Sequence, residues 1–234
     1  MQLITFDFHN TLASCDSWFD LEVFTIASSV ASALGLEADG EALNAAYRDI
    51  RARVMQSGIE ISAAEAVISV FRSQAIDASP EQIETTVDDL MWNSMHDLSA
   101  KPGAVATVID LKQLGYQLGV ISSAAHHGFV EWSLEHFGIL DRFDFVLTSV
   151  KAGVYKSSPD IYHQALGLAD ATASQSFHLG DSIKWDVETA SRAGMRTGWL
   201  TSDQRYQSTA VPDLAFASLE NAGPVIHDYM RSLI

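Results

Sequence analysis

"QLGVISSAAHHGFVEWSLEHFGILDRFDFVLTS" (residues 117–149) holds two short apolar runs on either side of a segment with a different period. "QLGVIS" and "FDFVLTS" have the length and composition of strands. "HGFVEWSLEHFG" repeats its apolar residues three and four apart and stops on glycine, the pattern of an amphipathic helix with glycine just past its end. The same alternation continues on both sides. "AVATVIDLKQLG" reads as a helix, and after residue 149 come "SPDIYHQALGL" (helix), "SFHLGD" (strand), "KWDVETASRAG" (helix) and "RTGWL" (strand). "LAFAS" and a last helix near 219–232 follow. Such alternation implies a parallel sheet covered by helices on both faces, an α/β class with a Rossmann-like core.

One strand stands apart. In "ITFDFHNTLA" (residues 4–13) the apolar run at 3–8 has no strand near it in sequence, because residues 18–97 carry helical periodicity. "WFDLEVFTIASSVASALGL", "GEALNAAYRDIRARVM", "SAAEAVISVFRSQAI" and "SPEQIETTVDDLMWNSMH" read as four packed helices. Ser62 with Glu65 predicts a capping box, and Ser79-Pro80 with Gln82 predicts a cap, a first-turn proline and a box partner. The first strand is therefore expected to join the later sheet. Residues 1–13 and 99–234 would form the α/β core, and residues 14–98 a four-helix insertion.

The 234 residues can bury a substantial core, and the 47% apolar content is that of an ordinary globular protein. No apolar run has the length of a membrane span, and no basic-then-apolar leader opens the chain, so a cytoplasmic protein without membrane partners is expected. The single Cys15 reads as a small packing residue. The net charge of −16 argues against a nucleic-acid partner, which needs clustered Lys and Arg. Residues 1–100 carry 16 acidic against 4 basic side chains, a net of −12, and residues 101–234 carry 14 against 10, a net of −4. That distribution describes a solvated acidic surface on the helical insertion.

In open α/β sheets, ligands bind beyond the carboxyl ends of the strands. The first strand ends on Asp7, the second on Ser122-Ser123, and the strand at 177–180 runs into Gly180-Asp181, with Asp186 about one helical turn later. Lys156 precedes the helix near Pro159. Carboxylates for a hard cation, with a hydroxyl and an ammonium for phosphate oxygens, suit Mg²⁺ and a phosphoryl group.

These residues resemble the motifs of the haloacid dehalogenase superfamily. "DFHNTL" is similar to its opening motif, Asp-x-Asp-Gly-Thr-Leu/Val. "GVISSA" is similar to the second, an apolar strand ending in Ser or Thr, and "GVYKSSPDIYHQAL" to the third, a lysine before a proline-containing helix. "HLGDSIKWDVETASRAGMRTGWL" is similar to the fourth, Gly-Asp-Ser-x-x-x-Asp followed by a helix ending in Ala-Gly. The resemblance implies that Asp7 is a nucleophile forming an aspartyl-phosphate. It implies that Mg²⁺ is held by Asp7, the His9 backbone carbonyl and Asp181 with support from Asp186, and that Lys156 stabilises the transferring group. Ser122, with Ser123, Asn10 and Thr11, would surround the phosphate. The helical insertion would be a cap, and the substrate a small phosphorylated metabolite. Lys151 competes with Lys156 for the lysine role but fits the spacing before Pro159 less well. A homodimer is left open.

Two positions depart from the family pattern. Asn10 stands for the usual glycine and is the side chain that best tolerates left-handed backbone. His9 stands where family phosphatases carry the acid-base Asp. An imidazole raised in pKa by Asp7 and Asp181 would supply a cationic acid; a merely structural His9 would suit a leaving group that needs no proton. The second case leads to the superfamily's 2-haloacid dehalogenases, which also lack that Asp, although they lack the Asp181/Asp186 pair as well. A phosphonoacetaldehyde-hydrolase-like activity would need a cap lysine, and residues 14–98 contain none. A catalytically impaired binding protein is the non-enzymatic alternative. His126 and His127 are expected at a helix start, and His178 in the core. Trp18, Phe19, Trp92 and His96 are the cap side chains considered for facing the site.

Overall fold

The computed structural model describes residues 2–201 and 210–233. Eight strands occur among them: β1 (Leu3–Phe6), β2 (Ala13–Ser14), β3 (Ser99–Ala100), β4 (Gln117–Ser122), β5 (Phe145–Thr148), β6 (Ser176–Gly180), β7 (Arg196–Leu200) and β8 (Leu214–Phe216). Six form one parallel sheet in the order β5-β4-β1-β6-β7-β8. The strand that is isolated in sequence is thus central, with Leu3 opposite both Gln117 and Ser176. That position explains its continuous apolar character, since a strand covered on both faces has no solvent side to alternate with. Ile4 and Phe6 face one apolar cluster with Val108, Leu111 and Phe129, while Leu3 faces another with Ile161, Tyr162 and Ala190. The two faces of the sheet are therefore both covered by helices, as the alternation implies.

The chain order builds the site. From β1 the connection leads to β4 and then β5 on one side, and from β6 to β7 and β8 on the other. Connections that diverge from the middle of a sheet open a crevice at the strands' carboxyl ends. The residues between β2 and β3 are helical: α1 (Asp16–Asp20), a π-helical turn (Leu21–Thr25), α2 (Ile26–Ala33), α3 (Gly40–Ser57), α4 (Ala63–Ser73) and α5 (Pro80–Asn93). Both capping boxes form, Ser62 with Glu65 and Ser79 with Gln82. β2 and β3 pair antiparallel where the chain leaves and re-enters the α/β part, Ala13 opposite Ala100. A second tie joins the loop after α3 to that part, through Tyr155 N–H to the Gly58 carbonyl and Glu60 N–H to the Gly153 carbonyl.

The remaining helices are α6 (Ala104–Gln113), α7 (His127–His136), α8 (Ser149–Ala152), α9 (Asp160–Leu168), α10 (Thr189–Arg192) and α11 (Ala222–Arg231). The segment expected as one helix after β6 begins instead as a π-helical turn, Ile183–Glu188, before α10. No helix among the described residues is long and apolar enough to cross a membrane.

Candidate active site

Asp7 directly follows β1, and its amide still donates to the Leu179 carbonyl at 2.8 Å, so the sheet fixes the backbone from which the carboxylate projects. The chain then turns tightly: Asn10 N–H reaches the Ala13 carbonyl and Asn10 has φ 63°, the left-handed conformation expected for it. This turn brings Thr11 behind the carboxylate, where its hydroxyl donates to Asp7 Oδ2 at 3.1 Å. Thr11 is fully buried. It orients Asp7 from behind and does not line the cavity, contrary to its expected place around a phosphate.

Lys156 joins the motifs. Its Nζ donates to Asp7 Oδ1 and to Asp186 Oδ1, each at 2.6 Å, and the whole residue is 1% exposed. Asp186 also accepts from His178 Nε2 at 3.1 Å and from the Ser182 amide at 2.9 Å. Because a carboxylate only accepts, Nε2 carries the His178 proton, and Nδ1 accepts from the Thr5 hydroxyl at 2.8 Å. His178 is thus a buried core residue that fixes Asp186. Gly180 makes room for this arrangement, since a Cβ there would meet the Asp186 carboxyl group. Lys151 lies elsewhere, against His127 Nε2 at 3.1 Å.

Asp7, Asp181 and Asp186 each present an oxygen within 4.8 Å of the others. Three carboxylates against one ammonium leave the cluster electrostatically short of positive charge. Burial pushes Asp7 up to about 7, against the pull of Lys156, with Asp186 and Asp181 adding to the rise. Burial and then Asp186 push Asp181 up to about 6. Lys156, overcoming the burial penalty, holds Asp186 well below the usual carboxylate range, and the two carboxylates hold Lys156 in its charged form. A divalent cation fits this donor set: oxygen ligands only, crowded, and short of positive charge. Asp186, with its oxygens already engaged by three donors, suits a supporting position more than a leading one.

A cavity of about 290 Å³ opens over the cluster. Ser122, Ser123, Asn10, His9, Lys156, Asp181 and Asp186 line its sheet side, so the strand-end residues expected there do converge, Thr11 excepted. The helical segments supply Trp18, Phe19, Glu22, Val23, Arg51 and Met55. Of Trp18, Phe19, Trp92 and His96, Trp18 and Phe19 face the cavity. Trp92 is 58% exposed and packs edge-on against Trp132, and His96 bonds the Ser17 hydroxyl. His126 caps α7, its Nδ1 accepting from the Phe129 amide, and Cys15 is buried.

His9 departs most from expectation. Its ring stacks on Phe19 at 5.0 Å and meets Trp18 edge-on at 5.2 Å. Burial lowers its pKa, and the opposing influences are Asp16 and a backbone hydrogen bond at Cys15. Asp7 and Asp181 do not supply the expected rise, and burial favours the neutral form of the imidazole. Its Nε2 is buried with no hydrogen-bond partner among the described residues.

Glu22 and Arg51 carry a signal that sequence reasoning missed. Trp18, Glu22, Ile26 and Val30 follow one another at four-residue spacing, and all four are buried, so Glu22 sits on the inward stripe of a helix. Tyr47 and Arg51 repeat the pattern in α3. Burial pushes Glu22 up to about 7, with Arg51 opposing. Both π-helical turns border the cavity, one contributing Glu22 and Val23 and the other Trp185 and Asp186. Such turns shift the helical register by about one residue and are frequent at functional sites.

The family model for haloacid dehalogenase-like hydrolases matches residues 1–194. Over 111 residues the chain is 37% identical to haloacid dehalogenase-like hydrolase domain-containing protein 3 of Bos taurus, covering 47% of this chain and 43% of that protein. It is 33% identical over 100 residues to glyceraldehyde 3-phosphate phosphatase of Pyrococcus abyssi (strain GE5 / Orsay), covering 42% and 41%. The chain therefore aligns with less than half the length of these two relatives. A solved 2-haloacid dehalogenase from Pseudomonas syringae pv. Tomato DC3000 superposes with a TM-score of 0.77 over 98% of this chain and 99% of that one, at 20% identity. A HAD phosphatase from Thermococcus onnurineus gives 0.65 over 97% and 98%, at 19% identity. At such identities the likeness establishes the shared fold.

Proposed function

The chain belongs to the haloacid dehalogenase-like hydrolase family, and we propose that it is a Mg²⁺-dependent phosphomonoesterase acting on a small metabolite through Asp7. The observation that carries this reading is Lys156 Nζ bridging Asp7 and Asp186 at 2.6 Å each, with Asp181 completing a carboxylate cluster. The residues that would hold the cation are Asp7, Asp181 and the His9 carbonyl, with Asp186 beside them. A bound divalent ion there offsets the repulsion between a carboxylate nucleophile and an anionic phosphate.

In this reading an Asp7 carboxylate oxygen attacks phosphorus, the bond from phosphorus to the substrate oxygen breaks, and Asp7 becomes an acyl phosphate. Lys156 keeps Asp7 oriented and stabilises charge on the transferring group, and Ser122 donates to a phosphoryl oxygen. Water then attacks the acyl phosphate and restores Asp7. His9 lines the cavity with Asp7, and in this reading its imidazole takes the proton of that water. With burial favouring its neutral form it is a weak acid toward the departing oxygen, so alkyl esters are expected to react more slowly than aryl esters. Residues 14–98 serve as the cap, whose Trp18, Phe19 and Met55 keep bulk water from the acyl phosphate. The cavity is at the small end of ligand sites, which span roughly 300–1,000 Å³; it suits a compact phosphate ester.

One observation favours a second reading, a 2-haloacid dehalogenase-like displacement at carbon. A neutral, aromatic-stacked His9 suits a halide leaving group, which needs no proton. Assays of an aryl phosphate and a 2-haloacid, each with Mg²⁺ and with a chelator, separate the two. Phosphate release that requires Mg²⁺ supports the first, and halide release that survives chelation supports the second. Silence toward both leaves the binding-protein alternative.

A further inference from the structure

The helical wall of the cavity holds an acidic side chain for which the proposed chemistry has no use. Glu22 is 5% exposed, sits on an otherwise apolar helical stripe and lines the cavity with Asp7. Its Oε1 accepts from the Ala125 amide at 3.1 Å. Its Oε2 is buried and makes no hydrogen bond of ordinary geometry, the Trp18 side chain giving Glu22 only a weak one, and the neighbouring Tyr47 Oη is likewise buried without a partner of ordinary geometry. Arg51, the cation of this wall, is already taken: Nη1 and Nη2 both reach Glu60, and Nη1 also reaches the Ile61 carbonyl. Glu60 is further tied to the Ser149 hydroxyl at 2.6 Å. The Arg51–Glu60 pair therefore closes on itself, and Glu22 remains as an acceptor without a cation of its own.

An unsatisfied buried acceptor is destabilising, more so when charged. The wall is otherwise made of Trp18, Phe19, Val23, Met55 and the engaged Arg51, and the Ala125 amide uses only one of the two Glu22 oxygens. Such a group earns its place when a ligand completes it, because a site built to hydrogen-bond a substrate group strongly rejects analogues that lack the group.

We propose that Glu22 is the specificity residue of this cavity, accepting a hydrogen bond from a hydroxyl or ammonium group on the organic part of the phosphate ester. Carboxylate-bearing esters are disfavoured, since they would meet Glu22 with like charge while Arg51 is engaged by Glu60. The inference rests on the phosphatase reading only for which end of the ligand faces Asp7.

The test uses four probes of similar size: 2-hydroxyethyl phosphate, 2-aminoethyl phosphate, propyl phosphate and phosphoglycolate. Two readouts are taken with Mg²⁺ present, kcat/KM for phosphate release and calorimetric affinity in an Asp7→Asn background that does not turn over. The full chain is expected to prefer at least one donor-bearing ester over propyl phosphate by about tenfold or more, and Glu22→Leu to remove most of that ratio. The larger of the two donor ratios identifies the group as hydroxyl or ammonium. Glu22→Gln keeps the acceptor for the Ala125 amide and adds an N–H donor, so it is expected to fold as the parent does and to shift preference toward phosphoglycolate, a change that a purely structural role would not produce. Ratios that Glu22→Leu and Glu22→Gln leave unmoved in both readouts overturn the inference while phosphate release stands. Binding ratios that depend on Glu22, without release from any ester, leave the inference standing and remove the phosphatase reading. No binding and no release overturn both.

Discussion

On the sheet wall of the cavity Asp186 accepts from Lys156, His178 and Ser182, and Lys156 is shared by two carboxylates. On the helical wall Glu22 Oε2, Trp18 Nε1 and Tyr47 Oη are buried without hydrogen bonds of ordinary geometry. Both walls bury carboxylates, but the sheet wall pairs Asp7 and Asp186 with Lys156, and the helical wall leaves Glu22 with capacity over. A satisfied network fixes geometry, as a nucleophile and its counter-charge require. An unsatisfied one sets a preference for what completes it. In the proposed reading the chemistry is built on the parallel sheet, and the discrimination on the helices laid over it.

The comparison can be broken first at Asp7. Asp7→Asn is expected to lower turnover by about 10⁴-fold or more while leaving the melting temperature equal or higher, since it removes a carboxylate that burial holds at about 7. Residual activity near the parent rate would remove Asp7 from the chemistry. Lys156→Met leaves two buried carboxylates without their ammonium and is expected to cost about 3–5 kcal/mol in a urea titration. A loss below about 1 kcal/mol would mean that the sheet wall does not depend on that ion pair.

The helical wall responds to pH instead. Burial raises Glu22 from 4.5 to about 7, so the folded state binds its proton more tightly than the unfolded state. Glu22 then contributes stability at low pH that is lost as pH rises from about 4.5 through about 7, in total on the order of 3 kcal/mol. Glu22→Gln lacks this loss. Relative to the parent it is expected to gain stability between pH 5 and pH 8, read from unfolding midpoints; parallel curves would show that Glu22 does not titrate in the folded cavity. Gly180→Ala pushes against the Asp186 carboxyl group and is expected to cost about 1–3 kcal/mol and to impair turnover. The smallest difference between substrates is expected at His9. His9→Ala is expected to slow alkyl and activated aryl phosphates by factors within about tenfold of each other, because the proton it takes is that of the water attacking the acyl phosphate common to both. A much larger loss on alkyl phosphates would restore His9 as the acid.

Much of the sheet wall was legible in the sequence. A strand end in a parallel sheet is set by periodicity and chain order, so Asp7, Ser122 and Asp181 could be placed on one rim from spacing, with Lys156 and Asp186 brought in by the loops that follow. Asn10 was legible through its tolerance of positive φ, and φ is 63° there. The helical wall was not. Which side of a helix faces a cavity depends on its register, and the π-helical turns at Leu21–Thr25 and Ile183–Glu188 each shift that register where site residues lie. Glu22 could have been found as the one acid on the stripe of Trp18, Ile26 and Val30. The pKa of His9 could not, because the stacking of Phe19 and Trp18 that buries it is a tertiary contact. Trp92 looked equally able to face the site, but it packs on Trp132.

The central claim is phosphoryl transfer to Asp7 at a cation site made by the sheet wall. The measurement that tests it most directly is phosphate release from an aryl phosphate by the parent chain with Mg²⁺ and with a chelator, alongside halide release from a 2-haloacid under the same two conditions. Phosphate release that chelation abolishes and added Mg²⁺ restores, with no halide release, is the expected result. Halide release that persists in the chelator, with no phosphate released under either condition, would contradict it.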